Sequence, residues 1–170
     1  MINRKALIVG INEYPLKQYK LKGCVNDANA VAELIEYNYD ESKNFEVVKL
    51  LDEKATEANI KKRLAHVFDN DTDIGLFYFS GHGSCDKSKN QLVTYDYFKD
   101  NDGLDFKELN DILVHSKCKN KIVILDCCFS GSIGNESFAE DISRLSRGTT
   151  ILAACREKES AGECSNHGVT

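Results

Sequence analysis

A histidine between two glycines, in "SGHGSC" (80–85), and two adjacent cysteines in "DCCFSG" (126–131) are the residues of this chain best suited to covalent chemistry. A thiol beside an imidazole makes the dyad of nucleophilic catalysis. The base helps form the thiolate, the thiolate attacks a carbonyl, and the imidazole then protonates the leaving amine. Glycines on both sides of His82 let the backbone turn sharply and approach a substrate closely. The cysteine pair admits other readings: a disulfide, half a metal site, or buried filler. Seven cysteines without regular spacing do not make a secreted disulfide framework. A reducing, cytoplasmic compartment with free thiols is therefore expected. Zinc fits poorly, because there is no C-x-x-C pair and adjacent cysteines rarely chelate one tetrahedral ion well. Cys24, Cys118 and Cys155 are expected to fill the core. Cys85 is a candidate redox-sensitive thiol near the site.

The elements that must bring these loops together are legible as alternating patterns. Apolar runs at 5–11, 45–51, 74–80, 121–127 and 149–155 predict strands of a parallel sheet covered on both faces. Between them, helical spacing predicts three helices. Ala28, Val31, Ala32 and Ile35 share a face in 27–38, as do Ile60, Leu64, Val67 and Phe68 in 56–68, and Phe106, Leu109 and Leu113 in 103–115. Thr56 is the expected N-cap of the second helix. A weaker fourth helix covers 136–146, and "QLVTYDY" (91–97) reads as an extra strand or hairpin. This order implies a doubly wound α/β sheet with right-handed crossovers. Ligands gather at the C-terminal ends of such strands, where both loops fall. Adjacent strands lie about 4.8 Å apart, so His82 and the cysteines can face one cleft.

The chain has 170 residues, 42% hydrophobic and 29% charged, which suits one domain over 1–170 with a real core. A formal charge of -5 argues against a nucleic-acid partner. The N-terminal apolar stretch is too short for a signal peptide, and no run reaches membrane-spanning length, so no membrane partner is expected.

The motifs together resemble the caspase-like cysteine peptidases (clan CD, peptidase family C14), and metacaspases and bacterial caspase homologues more than animal caspases. "KALIVGINEY" resembles the family's first strand and "LKGCVNDANAVAELI" its first loop and helix. "FYFSGHGS" carries the family histidine, "ILDCCFSG" matches the family's D-x-C-x-S-G, and "ILAACREKESAGE" resembles the fifth strand and the loop after it. The histidine lies 46 positions before the cysteine, near the family's spacing of about 50. The resemblance implies a three-layer caspase-like fold, its mostly parallel sheet flanked by helices, and a cysteine endopeptidase with a His82–Cys128 dyad. The register makes Cys128 the nucleophile and leaves Cys127 as a bystander packed against the sheet. It implies an oxyanion hole from the backbone N–H groups of Gly83 and Cys128.

The resemblance further implies that Asp27 and Asp126 bind a basic P1 side chain, so the expected substrate is a protein or peptide with Arg or Lys at P1. On residue chemistry alone, Asp27 reads equally as a helix N-cap and Asp126 as a solvated strand end. Asp100, Asp102 and Asp105 are candidate ligands for calcium as an activator, although their spacing is not an EF-hand and Asp102 reads better as an N-cap or turn residue. No cofactor is required for the chemistry. The chain stops at "NHGVT", so the family's last helix and strand are expected from a C-terminal remainder or a partner chain. Arg144 and Arg147 lie where such a protease would cut itself. The rival readings are a catalytically silent interaction module and a zinc or redox-thiol protein.

Overall fold

The computed structural model describes residues 2–86, 89–97, 103–127, 148–154, 163–164 and 167–168. Five strands form the central sheet: β1 (Arg4–Gly10), β2 (Glu46–Leu51), β3 (Ile74–Ser80), β7 (Asn120–Asp126) and β8 (Thr149–Ala154). All pairings are parallel and the order is β2-β1-β3-β7-β8. The sheet is that expected from the five apolar runs. The chain leaves β1 for β2 on one side and returns to β3 on the other. That reversal makes a crevice at the strand ends beside β1 and β3.

Alternation along β1 sorts the core into two layers. Ala6 and Ile8 join Ala28 and Ala32 of α1 (Cys24–Glu36), with Val31 and Ile35 packed at the margin. Leu7 and Val9 face the opposite way. They join Ile60, Leu64 and Val67 of α2 (Glu57–Val67) and Phe106, Leu109 and Leu113 of α3 (Phe106–His115). Thr56 caps α2 as expected, its side chain accepting from Asn59 N at 3.3 Å. Replacing such a cap by Ala costs about 1 kcal/mol. Cys24 and Cys118 are buried, in keeping with filler.

Three details differ from the sequence expectation. Helix α1 begins at Cys24, not at 27, and its N-cap is Gly23. Asp27 therefore lies inside the first turn, its N–H already bonded to Gly23 O at 3.0 Å, and is not the N-cap. The extra strands start earlier than 91–97. Strands β4 (Gly83–Asp86), β5 (Lys89–Leu92) and β6 (Leu104–Asp105) form a small antiparallel sheet that begins right after His82. Two further strands, β9 (Glu163–Cys164) and β10 (His167–Gly168), pair antiparallel and were not legible. The helix expected at 136–146 and Cys155 lie outside the described residues.

Candidate active site

His82 lies two residues past the end of β3, at the C-terminal edge of the sheet, and is half-buried. The turn before it is tied to the neighbouring strand, for Gly81 N donates to Asp126 O at 3.4 Å. Both sides of the His82 backbone are fixed. Its N–H donates to the Tyr14 hydroxyl at 2.9 Å, and its carbonyl accepts from Val93 N at 2.9 Å. Glycine is required at 81 by close approach, since a Cβ there would lie 2.7 Å from the Tyr14 hydroxyl.

The imidazole is also oriented. His82 Nε2 lies 2.8 Å from the carbonyl oxygen of Tyr19. A carbonyl oxygen only accepts, so Nε2 carries the hydrogen and Nδ1 is left as the basic nitrogen. The Tyr14 ring packs at 5.0 Å between centroids, and the Tyr19 ring meets the imidazole edge-on at 6.0 Å. Neither tyrosine was singled out from the sequence. The available signal was position: both follow β1, which lies beside β3, so their loop falls next to the histidine loop.

The second cluster lies on the α1 side of the same strand ends. Gly10 ends β1, and a Cβ there would lie 2.6 Å from Cys24 O and 2.7 Å from the Ala28 Cβ. This contact seats the first turn of α1, which carries Asp27, directly over the end of β1. Asp126 ends β7 and pairs opposite Ser80. It is half-buried, not a solvated strand end, and the Tyr78 hydroxyl donates to its Oδ2 at 3.4 Å. Burial pushes the Asp126 carboxyl above the usual carboxylate range. The negative charge of Asp27 pushes it further, and the Tyr78 hydrogen bond works against both. The Tyr78 phenol is raised too, first by burial and then by the Asp126 charge. Two carboxylates and a hydroxyl thus lie near one another in partly desolvated surroundings, where a nearby cation would be favoured.

Cys128, Asp100, Asp102, Arg144 and Arg147 lie outside the described residues. Cys127 is described and is buried in the larger core cluster, as expected for a bystander. Gly83 is buried as the first residue of β4. Asp105 caps α3, accepting from Lys107 N at 2.8 Å, so the cap expected at Asp102 is found three residues later. Among the described residues, no group of three or more His, Cys, Asp or Glu could hold a metal ion. No described helix is long and apolar enough to cross a membrane.

The comparisons with known proteins agree with this architecture. The caspase domain family, Peptidase C14, matches residues 3–168. Metacaspase-1 of Plasmodium falciparum is 34% identical over 149 residues, which cover 76% of this chain and 24% of that one. Metacaspase-9 of Arabidopsis thaliana is 33% identical over 148 residues, covering 76% of this chain and 44% of that one. The chain thus spans less than half the length of these relatives. A crystal structure of a Geobacter sulfurreducens protein superposes with a TM-score of 0.69 at 18% identity, over 97% of this chain and 78% of that one, and supports the fold. With the caspase domain matched almost end to end on a five-stranded parallel sheet, the chain belongs to the caspase-domain family of cysteine peptidases, with metacaspases among its relatives.

Proposed function

We propose that this chain is the catalytic domain of a cysteine endopeptidase that cuts after Arg, and less readily after Lys. His82 Nδ1 takes the proton of the Cys128 thiol, and the thiolate attacks the scissile carbonyl carbon. The N–H groups of Gly83 and Cys128 receive the oxyanion. The imidazolium then protonates the leaving amine, and water hydrolyses the thioester with the imidazole as base. The family match and the fixed tautomer of His82 support the nucleophilic chemistry.

The observation that carries the specificity is the rise that the Asp27 charge produces at Asp126, at the strand ends beside His82. A guanidinium between two carboxylates relieves their repulsion and can donate paired hydrogen bonds to a carboxylate, whereas an ammonium offers only a point charge. An acidic P1 would add a third negative charge. The test is a fluorogenic peptide panel varied at P1, run on the full-length protein with and without calcium, with Cys128→Ala as the blank. Turnover of Arg over Lys, and none of Asp, is the expected result. A preference for P1 Asp would overturn the specificity, and equal turnover by Cys128→Ala would overturn the mechanism. A calcium requirement, if the panel finds one, would point to the acids at 100 and 102.

A further inference from the structure

We propose that Tyr14 is a positioning residue for the catalytic base, its buried hydroxyl clamping the peptide of His82 against the loop that follows β1. This rests on His82 being the base of the dyad.

The hydroxyl bridges two backbone groups of opposite polarity. It accepts from His82 N at 2.9 Å and donates to Val93 O at 3.1 Å. Its single proton is thereby committed to Val93, which leaves only the acceptor side for His82. Val93 N closes the second link by donating to His82 O at 2.9 Å. Three segments meet here: the loop after β1, the turn after β3, and the chain just beyond β5.

The clamp has a rigid base of its own. Tyr14 is 2% exposed. Its loop is anchored by Asp52, whose Oδ1 accepts from Asn12 N at 2.8 Å and Glu13 N at 2.9 Å. Burial keeps the phenol protonated through any working pH, so the donor to Val93 is permanent. The ring lies against the imidazole at a 44° tilt, so backbone and side chain of His82 are set by the same residue. Phe at 14 would strand one donor and one acceptor in a buried place beside the base, and the turn would shift to re-satisfy them.

The fold contains a matched control. Ser116 makes the same kind of bridge at the far end of the sheet, donating to Phe68 O at 2.6 Å and accepting from Cys118 N at 3.0 Å. Tyr14→Phe, Ser116→Ala and His82→Ala are compared in the full-length protein for kcat and KM on an Arg peptide, for melting temperature, and for the alkylation rate of Cys128 by iodoacetamide, mapped by tandem mass spectrometry. Tyr14→Phe should lower kcat at least tenfold with KM changed less than threefold, and slow Cys128 alkylation. Ser116→Ala should lose comparable stability and keep both rates. Tyr14→Phe behaving like Ser116→Ala, while His82→Ala is dead, overturns the proposal alone. His82→Ala retaining both rates overturns the dyad reading and the proposal with it. Were no peptide turned over, the alkylation rates would decide by the same comparisons. Amide exchange in the unmutated protein gives a check free of folding defects: His82 N–H must be protected, and exchange as fast as in an open loop refutes the clamp.

Discussion

Asp126→Asn separates what the carboxylate does for the substrate from what it costs the fold. Asn keeps the shape and an oxygen that can still accept from Tyr78, so the hydrogen bond at 3.4 Å survives while the charge is lost. Removing one carboxylate from a desolvated pairing with guanidinium costs about 2–5 kcal/mol. Asp126 is only half-buried and Asp27 remains, so the low end applies. A loss of about 2–3 kcal/mol corresponds to roughly 30- to 160-fold in kcat/KM on an Arg peptide. Stability should move the other way. The folded carboxyl titrates above its ordinary value of 3.8, so the unfolded chain ionises more readily than the folded one. Below 3.8 both states are protonated and nothing is lost. As pH rises through that value to the folded one, stability falls, and above the folded value the full penalty is present. Asp126→Asn should therefore melt higher than the unmutated protein at pH 7, and the difference should vanish as pH drops below 3.8. Thermal melts across that range with steady-state kinetics at pH 7 provide the assay. Unchanged kcat/KM, or a variant less stable than the unmutated protein at pH 7, would refute the two-carboxylate reasoning.

Other variants follow from the same geometry. Cys128→Ala should abolish turnover, whereas Cys127→Ala, at a buried bystander position, should keep most of it once folded; equal losses in a rate assay on folded protein would put the nucleophile in the wrong register. Asp27→Asn cannot disturb an N-cap, because the cap is Gly23, so a loss on Arg peptides of more than tenfold would be a charge effect, read as kcat/KM against an unchanged melting curve. Gly81→Ala pushes a methyl to within 2.7 Å of the Tyr14 hydroxyl and should cost at least tenfold in kcat, with the melting point lowered as well. Thr56→Ala should remove about 1 kcal/mol of stability, seen in denaturant melts, and leave the kinetics alone.

The central sheet was legible because its inner strands β1 and β3 are buried on both faces and, like β7, read as continuous apolar runs, from "KALIVG" to "KIVILD". Helix faces were equally plain, since Ile60, Leu64 and Val67 repeat at helical spacing and are all buried. Helix starts were less so. Asp27 carries the preferred chemistry of a cap, yet the chain turns helical three residues earlier at Cys24, behind a Gly23 cap that no side chain announces. The small sheet from β4 to β6 was misplaced for a related reason: its strands are two to four residues long, too short to establish a period. Among the site residues, His82 stood out by its flanking glycines, whereas Asp27 and Asp126 were singled out only through the family resemblance, since on chemistry alone they read as a helix cap and a strand end.

Tyr14 and Tyr19 did not stand out, and the reason is physical. Tyr19 acts through its carbonyl oxygen, a group every residue has, so no side-chain pattern can reveal it. Tyr14 acts through a hydroxyl whose partners, His82 N and Val93 O, are 68 and 79 positions away and also belong to the backbone. A sequence displays side-chain chemistry directly but shows main-chain hydrogen bonding only through topology. What gives the His82 imidazole a defined tautomer is therefore written in the strand order, which sets the loop after β1 beside the turn after β3. Any residue within a few positions of a strand's C-terminal end should accordingly be weighed against the ends of its neighbours, whatever its type, when a catalytic group sits there.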